Sequence, residues 1–236
     1  MRNIKFRLNF VIAFTLLFFI MRGEGMLAGY DWRPLIPLSM ILMALTPYLL
    51  FNKSERRVVG LKKPGKSIWL LYGFLLGGAA AFVVFIIGHI LFGQSHNNWF
   101  VSVSQYYVTT PGLENYSHFQ QFLIFTIPAL IFSPIGEELF FRGVMQEVLA
   151  ATWNYKTGMI INSALFGLLH LFHHGFSVVD GAIQFFPVSG IIWCFLIMGT
   201  GILFTFIRRK GDSIWAATVT HMAFNLCMNF IIFYIM

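Results

Sequence analysis

Charge is scarce in this sequence: Asp, Glu, Lys and Arg together make up 11% of its 236 residues, and nine positions are acidic. Soluble domains carry about 25% charged residues, so an ordinary water-facing surface is excluded. Cysteine is almost missing too. Cys194 and Cys227 both lie in apolar stretches without Cys-x-x-Cys or metal-ligand spacing, which argues against a disulfide framework and a zinc knuckle. There is no internal repeat, low-complexity tract or domain boundary. What fills the chain is apolar: 58% hydrophobic residues and a mean hydropathy of +0.74. The composition is that of an all-α polytopic membrane helix bundle, taken as one membrane domain over 1–236. The net charge of +7 does not indicate nucleic acid, because the basic residues sit in short loops rather than in an aromatic-interleaved patch.

A helix needs about 20 apolar residues to span a bilayer. Uncharged stretches near that length occur at 8–21, 34–51, 67–92, 119–135, 157–172, 182–207 and 213–236, so about seven crossings are expected. The first is short and follows Arg2, Lys5 and Arg7 like a signal peptide, but Arg22-Gly23-Glu24-Gly25 is a poor cleavage site, and it is read as a retained helix. Basic residues orient the chain. They crowd the amino terminus, the 52–66 loop (Lys53, Arg56, Arg57, Lys62, Lys63, Lys66), Lys156 and Arg208-Arg209-Lys210, whereas the alternate connections hold Arg22 and Arg33 or none. The amino terminus is therefore expected in the cytoplasm of a cell-membrane protein, with the charge-poor loop around 97–116 outside.

Two of the nine acidic residues are adjacent, in the run Pro134-Ile135-Gly136-Glu137-Glu138-Leu139-Phe140-Phe141-Arg142-Gly143. Charges inside a membrane are costly and usually functional. Continued from the fourth span, this run would make a helix of about 35 residues and ~50 Å, more than a bilayer requires. Pro134 and Gly136 are therefore expected to kink or break it and begin a short additional helix carrying the glutamates. Glu138 and Arg142 have the i,i+4 spacing of an ion pair, which leaves Glu137 on another face for chemistry. An apolar site and a neighbouring carboxylate would tune a glutamate toward acid–base work; a purely structural Glu–Arg clamp is the alternative.

Two further pairs have helical spacing: Phe166 with His170 in the fifth span, and His221 with Asn225 in the seventh. Each alone is equally consistent with membrane helix packing. His173 and His174, at a helix end, read as solvated loop histidines. His89, His96 and His118 have no partner spacing. Converging, Glu137, Glu138, Arg142, His170, His221 and Asn225 would supply a base, a group to orient it, and donors for an oxyanion.

In order and spacing, Glu137-Glu138-x-x-x-Arg142, Phe166-x-x-x-His170 and His221-x-x-x-Asn225 resemble the three motifs of the CAAX protease and bacteriocin-processing (CPBP, or Abi) family of intramembrane endopeptidases. Phe141-Arg142-Gly143, Gly199-Thr200-Gly201 and the run from Arg208 to Trp215 match in context. The resemblance covers a catalytic core at 119–225 and leaves 1–118 as variable amino-terminal helices. It implies peptide-bond hydrolysis with Glu137 activating water, His170 holding it, His221 and Asn225 stabilising the oxyanion, and Glu138 and Arg142 in support.

It also implies a choice of mechanism. Glu137, His170 and His221 would be the ligands of a zinc enzyme, but there is no His-Glu-x-x-His helix, and the reading adopted needs no cofactor. The expected partners are a peptide or membrane-protein substrate and the lipid bilayer. A proton-coupled transporter would show repeats with broken helices in matching positions, and none is present in the sequence. A non-catalytic bacteriocin self-immunity protein is the other alternative.

Overall fold

The computed structural model describes residues 4–108, 110–179 and 181–236; Arg2, counted above with the basic amino terminus, lies outside them. The fold is an all-α polytopic bundle with six helical spans long and apolar enough to cross a membrane among the described residues. They are α1 (Ile4–Leu27), the segment Tyr30–Leu50 containing α2 (Leu35–Leu50), α4 (Ile68–Phe92), the segment His118–Thr152, α9 (Pro187–Gly211) and α10 (Ile214–Tyr234). Between α2 and α4 lies the one-turn α3 (Glu55–Val58).

The seventh expected crossing is α8 (Tyr155–Leu169), which at 15 residues is about 22 Å long and cannot span a ~30 Å hydrocarbon core alone. Its inner face carries polar groups beside Phe166 and Leu169: Asn162 and Ser163 are buried, and the Asn162 amide donates to Gln146. The apolar run at 157–172 is thus a short helix packed on the bundle by one face, with Ile160 and Leu168 left exposed on the other.

Nor does the chain break at Pro134 or Gly136. α6 (His118–Glu137) continues through a π-helical segment, Glu138–Met145, into α7 (Gln146–Thr152), a 35-residue helical run. The motif does have its own segment, but as a stretch with i→i+5 bonds inside a longer helix, a form common at functional sites. α2 braces it where the prolines remove backbone donors. A Cβ at Gly136 would run into the backbone of Met40, so α2 and α6 touch main chain to main chain. Gly77 plays the same part between α4 and α10, against the Thr220 carbonyl. Gly136→Val is expected to abolish recovery of monodisperse protein from detergent extracts; parent-like yield and melting temperature would show that this approach can relax.

Two connections are more ordered than the sequence suggested. Within the expected outer loop, α5 (Trp99–Val108) folds onto the bundle because Trp99 and Phe100 are fully buried, Trp99 stacking 5.7 Å from Trp193. The expected sixth crossing begins at Pro187 rather than 182, because β1 (Phe176–Val179) and β2 (Ala182–Phe185) pair as an antiparallel hairpin. Phe176 and Phe185 stack across it at 4.8 Å, and Pro187 suits the first turn of the helix that follows.

The basic segments gather at one end. Arg7 pairs with Glu55 at 2.7 Å, Lys62 with Asp212 at 2.7 Å and Arg208 with Glu147 at 2.8 Å. The hydrogen bond from Arg7 holds the Glu55 carboxyl below its ordinary range. Ser213 caps α10, accepting from Trp215 N and donating to Lys62 O, so the 52–66 loop is stitched to the α9–α10 turn.

Candidate active site

The π-helical segment is buried along its whole length, and Glu137, Glu138 and Arg142 are each fully enclosed. As the spacing predicts, Arg142 Nη1 donates to Glu138 Oε1 at 3.1 Å. The guanidinium also lies 4.0 Å from the centre of the Phe166 ring, and Phe204 is within 5.2 Å. Two aromatic faces and one carboxylate thus replace the water this cation gives up.

Phe166 explains its own spacing. Arg142 is on one side of it, and the His170 ring, one helical turn on, has its centroid 4.3 Å away. α8 ends there, and His170 Nδ1–H donates to the Phe166 carbonyl at 2.7 Å. A carbonyl only accepts, so this bond places the proton on Nδ1 and leaves Nε2 with its lone pair.

α10 brings in the third motif. His221 Nδ1–H donates to Glu138 Oε1 at 2.9 Å, its ring stacks on Phe204 at 5.0 Å, and Nε2 faces Glu137 Oε2 at 3.9 Å. Asn225, one turn on, donates from Nδ2 to the Ala129 carbonyl of α6 at 2.9 Å. All six sequence-derived residues therefore converge on adjoining helices.

The division of labour between the glutamates differs from the spacing argument. Glu137 is not unpaired: Arg22 Nη2 of α1 donates to its Oε1 at 2.6 Å. Its Oε2 is buried and has no hydrogen-bond partner among the described residues. The division runs between the two oxygens of Glu137 as well as between the two glutamates. Glu138 supports the site twice, since its Oε1 accepts from both Arg142 and His221.

Sequence reasoning missed Arg22 because the first span was cut at Met21 and the arginine assigned to a connection. The signal was present: 8–21 falls short of the ~20 residues a span needs, and lengthening it takes in Arg22. The two loop histidines are also corrected. His173 Nε2 accepts from Arg22 Nη1 at 3.0 Å, and its ring stacks 4.9 Å from His170. His174 is fully buried, bonded to Ser102 and Ser189 at 2.9 Å each, and ties α5 to α9. Both follow from the chain folding back after α8 instead of emerging into solvent.

A cavity of about 400 Å³ adjoins this cluster. Arg22, His170, His173, His221 and Asn225 lie on its wall, and Glu137 sits one layer behind them. The rest is mainly apolar side chains of α2, α6, α9 and α10, reaching Arg33 and Tyr106 toward the end opposite the basic loops.

Among the described residues no group of three or more His, Cys, Asp or Glu side chains is arranged to hold an ion. Glu137 Oε1 is bound to a guanidinium, and the Nδ1–H groups of His221 and His170 are held by Glu138 and the Phe166 carbonyl, so the atoms left for chemistry are Glu137 Oε2 and the two Nε2 nitrogens.

No curated protein and no solved structure matches the chain. Residues 119–227 match the family model for type II CAAX prenyl endopeptidase Rce1-like proteins, a segment that carries Glu137, Glu138, Arg142, His170, His221 and Asn225. Over that segment the chain is similar to this family, in agreement with its three CPBP-like motifs, and together with the six apolar helical spans the match marks it as an integral membrane protein.

Proposed function

We propose that the protein is an intramembrane endopeptidase of CAAX type that hydrolyses a peptide bond with a glutamate-activated water and no metal. The observation that carries this reading is Glu137 Oε2: a buried carboxylate oxygen with no hydrogen-bond partner among the described residues, 3.9 Å from His221 Nε2 and beside the cavity wall. Water placed there donates one hydrogen to Glu137 Oε2 and the other to His170 Nε2, which turns an oxygen lone pair toward a substrate carbonyl. Attack moves a proton to Glu137 and charge to the carbonyl oxygen. Asn225 keeps one Nδ2–H beyond its bond to Ala129 for that oxyanion. His221, with Nδ1–H committed to Glu138, donates from Nε2 only as the imidazolium. Collapse expels the amine, which takes the proton from Glu137, and atoms and charge balance.

The basic end is assigned to the cytoplasm because its loops hold the Lys and Arg excess. His221 lies about two turns into α10 from that end, so cleavage occurs in the cytoplasmic half of the bilayer. The apolar cavity suits a substrate that brings a hydrocarbon group or a membrane segment with it.

The test is cleavage of a quenched fluorescent peptide bearing a farnesylated cysteine by purified protein in proteoliposomes. Cleavage is expected to persist in EDTA and 1,10-phenanthroline and to fall about 100-fold in His170→Ala, in line with the loss of a water-positioning group. Chelator inhibition reversed by zinc would overturn the metal-free reading. Failure to cleave this peptide, together with unchanged membrane peptides in a cellular comparison of parent and variant, would overturn the endopeptidase reading.

A further inference from the structure

The family match begins at residue 119, yet the shortest ion pair on Glu137 comes from residue 22. Arg22 is 1% exposed and holds two groups at once: Nη2 donates to Glu137 Oε1 at 2.6 Å, and Nη1 to His173 Nε2 at 3.0 Å. The His173 ring is in turn stacked on His170, centroids 4.9 Å apart and planes within 24°. One guanidinium therefore joins the carboxylate of the first motif to the imidazole of the second.

The rest of α1 is docked to the same two segments. Phe18 meets Phe140 of the π-helical stretch edge-on at 4.9 Å, and Phe19 meets Phe172 of the turn after His170 at 6.3 Å. Gly23 also lies under the Phe172 ring, where a Cβ would come within 3.2 Å of it. Two consecutive turns of α1 thus follow a seam between the motif-bearing elements, with Arg22 as its polar member. A carboxylate gripped at one oxygen by a planar two-donor group cannot rotate freely, so Oε2 stays directed toward His221 and the cavity.

We propose that Arg22 is a positioning residue of the active site, acting with His173 to fix the relative placement of Glu137 and His170, and that α1 is therefore part of the catalytic unit. This rests on the endopeptidase reading above and deepens it. The buried arginine near the far end of α1 is accounted for by the carboxylate it orients, and the catalytic unit extends beyond the matched segment.

The experiment uses the full chain in proteoliposomes with the farnesylated peptide, kcat being normalised to monodisperse protein. Arg22→Gln is expected to lower kcat about 100-fold with KM within about threefold, and Arg22→Lys to recover about tenfold of that loss. His173→Ala is expected to lower kcat about tenfold. A parent-like kcat in Arg22→Gln, or a loss confined to KM, overturns the proposal. Should Arg22→Gln fail to fold, parent-like kcat in both Arg22→Lys and His173→Ala overturns it instead.

A second arm needs no substrate. Glu137→Gln introduced into Arg22→Gln removes the unpaired buried charge, so the double variant should melt higher than Arg22→Gln alone. If the parent cleaves nothing but this coupling is present, the endopeptidase reading fails while the clamp stands. If cleavage is normal and the coupling is missing, the clamp fails alone.

Discussion

Glu137→Gln is expected to reduce cleavage of a native substrate by about 10³-fold or more, roughly 4 kcal/mol of transition-state stabilisation, with membrane expression unchanged. Glutamine has nearly the same shape and retains an oxygen for Arg22 Nη2, which now donates to Oε1 of the carboxylate. What it cannot do is take the proton of the attacking water. Arg22, buried beside it, then lacks its charged partner, so the melting temperature is expected to fall as well and turnover is normalised to folded protein. Glu55→Gln, a substitution at the basic end where Glu55 pairs with Arg7, should cleave at the parent rate. Turnover is measured on the farnesylated peptide and by comparing membrane peptides in strains carrying each form. Proteolysis by Glu137→Gln within tenfold of the parent would remove Glu137 from the role of base.

The second large effect is on stability. Arg142→Met should lower the apparent melting temperature in detergent by about 10 °C, corresponding to ~3–5 kcal/mol for taking one partner from a buried ion pair. The methionine fills much of the space between Phe166 and Phe204, so packing loss is small and the cost is that of the Glu138 charge. Glu138 would then depend on His221 alone. Adding Glu138→Gln should return part of the loss, because the stranded charge is gone. Arg142→Lys should stay destabilised, since an ammonium does not reproduce a planar group held against two rings. A melting temperature for Arg142→Met within 2 °C of the parent would mean the guanidinium is not what stabilises Glu138.

These two experiments separate the neighbouring glutamates by different observables. Substitution at Glu137 is expected to appear in the rate per folded molecule, and loss of the Glu138 partner in melting temperature first. A site that was only a Glu–Arg clamp would show the second effect without the first.

Much of this site was legible in the sequence because it is written in short-range spacing. Glu138 with Arg142, Phe166 with His170 and His221 with Asn225 are each four apart, and helical geometry brings such side chains to one face whatever the rest of the chain does. The scarcity of charge made the cluster conspicuous, because an apolar environment makes each charge costly. Arg22 was less legible. It is separated from Glu137 by 115 residues, and only the docking of α1 brings them together. His173 and His174 were misread for a related reason: burial at a helix end is decided by what folds over it, here α1, α5 and α9.

The sequence alone determined that the chain is a membrane helix bundle and which six side chains form the motif core. Apolar run length and i,i+4 spacing are local quantities, readable without knowing which helix touches which. Tertiary structure decided how Glu137 is held, that 118–152 continues as helix through a π-helical stretch, and that 157–172 is too short a helix to span by itself. It also decided that α1 supplies a cation to the site. Those outcomes depend on helix packing, where Gly136 against Met40 and Phe18 against Phe140 set approaches that no local pattern encodes.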